Sequence, residues 1–173
     1  MKIFEKINVL SILNNHFKTL VNDNTKRPEF TDWLTFLIIP FIIGATLTFF
    51  EIDLTERATN LVITTLSILV GLFFNVVVIL FDIIKRDSSK KLKNRLLEQL
   101  LTNISYTIFT SLIIIFFTVL SFFDNKCWSV VMTFLVYFLL SHFAFTVLMI
   151  LKRVYAIFMN EMEEISDTVD DSN

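Results

Sequence analysis

The sequence predicts an all-α integral membrane protein, a four-helix transmembrane bundle with an N-terminal amphipathic helix. Three observations predict it. Residues 33–50, 58–81, 100–123 and 127–151 form four apolar runs without a single Asp, Glu, Lys or Arg. At about 1.5 Å of rise per residue these runs reach roughly 27 to 38 Å, enough for a hydrocarbon core of about 30 Å. Hydrophobic residues make up 54% of the chain and charged residues 18%, too little polar surface for a water-soluble domain of this size. Finally, two Gly and two Pro in 173 residues disfavour a turn-rich β protein and favour long helices.

Residues 1–30 form a cytoplasmic N-terminal segment. Within it, Ile3, Ile7, Leu10, Leu13, Phe17, Leu20 and Val21 recur at helical spacing, with Lys, Asn and Glu opposite, so residues 2–22 read as an amphipathic helix. It would lie in the inner headgroup layer or pack on a protein surface. Glu5, Lys6, Asn8, Asn14 and Asn15 break any signal-peptide core. A polar stretch follows, and Thr31 or Asp32 can cap the first span.

The four-span domain occupies residues 31–155. Pro40 in the first span predicts a kink, because it removes one intrahelical hydrogen bond. Links 51–57 and 124–126 are short, and the second forces spans three and four into an antiparallel hairpin. Link 82–99 is longer and is expected to continue as a helix into span three. Residues 156–173 form an acidic tail; six carboxylates and no basic residue in 160–173 predict disorder there. Of the 15 Lys and Arg residues, 13 fall before span one, between spans two and three, or after span four, which places both termini in the cytoplasm.

Span two carries a polar stripe of Asn60, Thr64, Ser67, Gly71 and Asn75, with Asp82 further on. Ser67 and Gly71 form a small-xxx-small pair, and Asn75 needs a hydrogen-bond partner in hydrocarbon. The stripe is a helix-packing seam or, in an oligomer, a pore face. Span four has a second stripe, Ser129, Thr133, Tyr137 and Ser141, beside His142. His142 is either a proton-sensing group or a neutral imidazole bonded to a neighbour. Span three offers Asn103, Ser105, Tyr106, Thr107, Thr110 and Ser111 as partners for Asn75 or His142.

Lys85, Arg86, Lys90, Lys91, Lys93 and Arg95 cluster beside the inner leaflet. Each adds about 1 kcal/mol of attraction to an anionic surface, so membrane lipids or an acidic protein partner are the expected contacts. Interleaved stacking aromatics are missing there, and no direct nucleic-acid binding is expected. The lone Cys127 is expected at the outer interface as an inert residue, with an intermolecular disulfide as the alternative. The chain has no HExxH, GxSxG or P-loop motif and no carboxylate–His metal cluster, so neither an enzyme nor a cofactor or metal is expected.

Residues 67–82 (SILVGLFFNVVVILFD) and 100–117 (LLTNISYTIFTSLIIIFF) resemble the small four-span proteins of bacterial anti-phage defence operons, such as the membrane subunit of Kiwa-type systems. The resemblance implies a bacterial inner-membrane oligomer that works with a cytoplasmic partner as sensor or effector. An ion channel or holin-like permeabiliser is the alternative, and a proton-coupled small transporter using His142 a third.

Overall fold

The computed structural model describes residues 9–19, 30–52, 54–86, 91–122 and 126–170, and all the regular structure among them is helical. In chain order the elements are α1 (Val9–Thr19), α2 (Phe30–Trp33), a π-helical segment (Leu34–Ile38), α3 (Ile39–Phe49), α4 (Glu56–Arg86), α5 (Lys91–Leu120) and α6 (Lys126–Asp170). Three are long and apolar enough to cross a membrane, over Glu56–Asp82, Leu96–Leu120 and Trp128–Met159. The apolar part of the first expected span is the shorter Leu34–Phe49.

Helix pairing follows a seven-residue rule. On α4 the buried positions Thr59, Leu66, Phe73 and Leu80 are seven apart, with Val62, Leu69 and Val76 partly buried between them. On α5, Leu97, Leu100, Ile104, Thr107, Ser111, Ile114 and Thr118 alternate steps of three and four, and each is at most 1% exposed. Alternating steps of three and four are the seam of left-handed helix packing. Among lipid tails there would be no hydrophobic drive between helices, and close van der Waals fit would have to hold these seams. Small hydroxyls fit there because they bond their own helix: Thr107 Oγ1 donates to Asn103 O and Thr118 Oγ1 to Ile114 O, both at 2.7 Å.

Helix α5 is central and packs against α1, α4 and α6, while α3 packs on α6. Gly44 is what lets α3 approach. A Cβ there would stand 3.0 Å from the Phe138 backbone nitrogen. Phe41 closes the contact edge-on to Phe134, ring centres 5.4 Å apart.

Just before Pro40 the chain departs from α-helical geometry. Within the π-helical segment the Ile39 amide bonds Leu34 O, five residues back, one turn before Pro40. Beyond it α3 ends in a Schellman arrangement, with Glu51 N–H bonded to Thr48 O and Ile52 N–H to Leu47 O. Glu51 has φ 50, where glycine is the usual residue. Next, the Thr55 hydroxyl accepts from Ala58 N–H and caps α4.

One expectation is corrected. Residues 160–170, expected to be disordered, continue α6 as helix to Asp170. Glu, Met and Ile are adequate helix formers, and extending an existing helix avoids the cost of nucleation. On α1, Leu10 is 75% and Phe17 44% exposed, Leu13 is half-buried and His16 is fully buried. Residues 2–8 and 20–22 of that expected helix lie outside the described residues.

Candidate functional site

The polar groups of the interior converge where α1 meets α5 and α6. His16, Asn103, Thr107, His142 and Thr146 are all buried. Each is delivered by a helix whose other inward positions are packed, so the side chains have little freedom.

His142 is the inner end of the network. Its Nδ1 lies 2.6 Å from Phe36 O, and its Nε2 lies 2.6 Å from the Tyr106 hydroxyl. A carbonyl can only accept, so Nδ1 carries the proton. In the neutral ring Nε2 then accepts from Tyr106 Oη–H. The Phe36 carbonyl is available because in an α-helix it would pair with the amide of residue 40, and Pro40 has none. The proline and the histidine, 102 positions apart in the chain, complete one another.

Tyr106 is shared with α1. The His16 ring stacks on it, centroids 3.7 Å apart and planes 4° from parallel. His16 Nδ1 lies 2.9 Å from Asn103 Oδ1. Thr19 Oγ1 is 2.7 Å from both that same oxygen and the His16 carbonyl, and its one proton can go to either. Arg153 Nη2 donates to Thr19 O at 2.7 Å, a cation placed on the C-terminal end of α1 where the helix dipole favours it. Four elements are therefore joined through one set of hydrogen bonds: α1, the π-helical segment, α5 and α6.

The joint is incompletely satisfied. His16 Nε2 and Asn103 Nδ2 are buried without a hydrogen-bond partner among the described residues. Each such atom costs about 1–3 kcal/mol. Burial pushes the His16 imidazole down to about 4, outweighing its hydrogen bond to Asn103, and His142 and Arg153 lower it further.

The sequence-derived candidates divide sharply. His142 finds Tyr106, one of the span-three partners expected for it. Thr133 is buried, Ser129 and Ser141 are half-buried, and Tyr137 Oη donates to Ile52 O at 2.9 Å. On α4, by contrast, Asn60, Thr64, Ser67, Gly71, Asn75 and Asp82 are all exposed. A Cβ on Gly71 would meet nothing within 4 Å, and Ser67 Oγ bonds only its own Ile63 carbonyl. That stripe packs on nothing among the described residues, and only 6% of the most apolar 18-residue stretch of α4 is buried.

Lys85 and Arg86 close α4, and Lys91, Lys93 and Arg95 open α5; Lys90 lies outside the described residues. Cys127 falls in the first turn of α6. No group of three His, Cys, Asp or Glu able to hold a metal stands together among the described residues.

His16, Thr19 and Arg153 were not picked out by the sequence reading. The cue for His16 lay in α5: Asn103 is on the buried side of a packed helix and requires a polar partner. Comparison with protein-family models, curated proteins and solved structures finds no match to this chain.

Proposed function

We propose that the chain is a non-enzymatic, four-span subunit of the bacterial inner membrane, oligomeric, with both termini cytoplasmic, that senses or effects a membrane event together with a cytoplasmic protein partner. The resemblance to membrane subunits of anti-phage defence operons points the same way. In this reading α2, the π-helical segment and α3 make the first crossing, their run over residues 30–49 reaching about 30 Å. The basic ends of α4 and α5 rest against anionic lipid or the partner.

The observation that carries the reading is the joint at His16. A helix outside the spans is held on the span helices by a network left short of partners, and in this reading it switches between a docked and a released state. A membrane disturbance that shifts α5 against α6 would disturb the Asn103–His16 and Tyr106–His142 bonds together. The test is regulated expression with a membrane-potential dye, with and without the co-encoded cytoplasmic protein. A response that needs the partner, and that a His16→Leu variant alters, is expected. An unchanged response in that variant removes the sensor reading.

A second reading, an ion channel or holin-like permeabiliser, draws on the exposed Ser67, Gly71 and Asn75 face of α4. That face could line a conducting path only between several copies. Planar-bilayer recording decides it: steps of conductance that Asn75→Leu abolishes favour the channel, and a silent bilayer beside normal biological activity eliminates it.

A further inference from the structure

Helix α6 is a single helix of 45 residues, Lys126–Asp170. Its length is about 67 Å, more than twice the thickness of a hydrocarbon core. The basic pair Lys152 and Arg153 marks where it leaves the bilayer. Inside the chain α6 packs through Val136, Leu139, Phe143, Thr146 and Ile150, and that face runs on to Val154 and Ile157. There it stops being apolar, because the next two positions in the same register are Glu161 and Glu164.

A neighbouring line does not stop. Tyr155, Phe158, Met162, Ile165 and Val169 continue in steps of three, four, three and four. From residue 161 to residue 170 the apolar residues are Met162, Ile165 and Val169, and every other position is polar or acidic. An apolar stripe two residues wide in every seven is the narrow seam of a coiled coil, not the broad face of a helix lying on a globular core. Tyr155, Phe158 and Met162 are 64–65% exposed, so nothing among the described residues covers them. The same rhythm reaches back through Leu151 and Leu148, likewise exposed at 64% and 60%.

Charge excludes one occupant. The segment after Arg153 has five carboxylates up to Asp170 and no basic residue, so an anionic lipid surface repels it. In helical register the acidic residues fall at positions beside or opposite the seam and never on it. Two copies embedded in one membrane leave it in the same direction and at the same depth, which brings their seams together parallel and in register without further adjustment. The C-terminal end of a helix disfavours negative charge, so this acidic extension gains from burying its seam against a partner strand.

We propose that residues 155–169 of α6 form a parallel, in-register coiled coil with the same residues of a second copy of the chain. This rests on the reading above of an oligomeric membrane protein and names the surface through which it associates.

Single cysteines introduced into a Cys127→Ser background test it by oxidative cross-linking in native membranes. Phe158→Cys, Met162→Cys and Ile165→Cys should give mostly cross-linked dimer. Asn160→Cys and Asp167→Cys, on the far side of the helix, should give at least five-fold less. A Met162→Glu/Ile165→Glu variant should abolish the cross-link from Phe158→Cys while leaving the thermal unfolding of the bundle unchanged. Equal yields on both sides, no dimer at any seam position, or cross-linking to a different protein overturns the proposal. Light scattering in nanodiscs separates the two levels. A dimer that cross-links through Ser67→Cys but not through the seam overturns this interface and leaves the oligomer standing; a monomer overturns both.

Discussion

His142 donates from Nδ1 to the Phe36 carbonyl at 2.6 Å, the position that a backbone amide would hold if residue 40 were not proline. The break that Pro40 makes in one helix is thereby the docking point for another. Histidine suits this role because its two nitrogens face opposite ways, one giving to a carbonyl and the other receiving from Tyr106.

Replacing His142 with Leu strips the half-buried Phe36 carbonyl of its donor and the buried Tyr106 hydroxyl of its acceptor. A loss of about 2–4 kcal/mol is expected from two such groups. Adding Pro40→Ala restores the helical donor and should recover about 1 kcal/mol or more, whereas Pro40→Ala alone recovers nothing. A double-mutant cycle of thermal unfolding in detergent measures the coupling, and strictly additive effects would refute the exchange of donors.

Docking of α1 should weaken with acid. His16 titrates near 4 when docked and near 6.5 when released, so between those values the released helix binds a proton that the docked helix does not. Docking is thus at full strength above pH 6.5, falls as the pH drops toward 4, and is flat below. The whole change amounts to roughly 3 kcal/mol. Amide exchange of residues 9–19 measured across pH 4–7, corrected for intrinsic rates, reports it, and His16→Phe should remove the dependence.

The two glycines should behave oppositely. Gly44→Ala drives a Cβ into the Phe138 backbone at 3.0 Å and should cost about 1–3 kcal/mol. Gly71→Ala meets open space and should be neutral or stabilising by up to about 1 kcal/mol through helix propensity. Unfolding midpoints of the two variants side by side are sufficient.

Glu51→Gly should stabilise the turn between α3 and α4. Its φ of 50 costs a side-chain-bearing residue roughly 1–2 kcal/mol that glycine does not pay. A gain of about 1 kcal/mol in thermal unfolding is expected, and a loss would place the strain elsewhere.

Much of the fold could be read from the sequence, because apolar run length is nearly sufficient to find a spanning helix. The missing hydrogen bond at Pro40 was equally open, since the absent N–H is written in the residue name. Burial on α1 was not. Periodicity ranks positions by hydrophobicity, so it points to Leu10 and Phe17, yet the tertiary contact is chosen by Asn103 and selects His16. On α4 the difficulty is of another kind. In a lipid-facing helix both sides are apolar, and only the seven-residue spacing of Leu66, Phe73 and Leu80 distinguishes the packed side from the free one. The polar stripe there draws the eye to the free side. The tail misled because acidic composition speaks to disorder in an isolated segment, not to one that extends an existing helix.

Helix α6 is also a lever. Pivoted at His142, where it is pinned to the broken helix, its last described turn lies about 42 Å away. A tilt of about 10° at that pivot sweeps Asp170 through about 7 Å. It also moves Arg153, the guanidinium that grips the end of α1, by about 3 Å, as far as a hydrogen bond is long. In the proposed sensor, a small change in bilayer thickness would thus become a large displacement at the far tip and a broken handhold near the fulcrum.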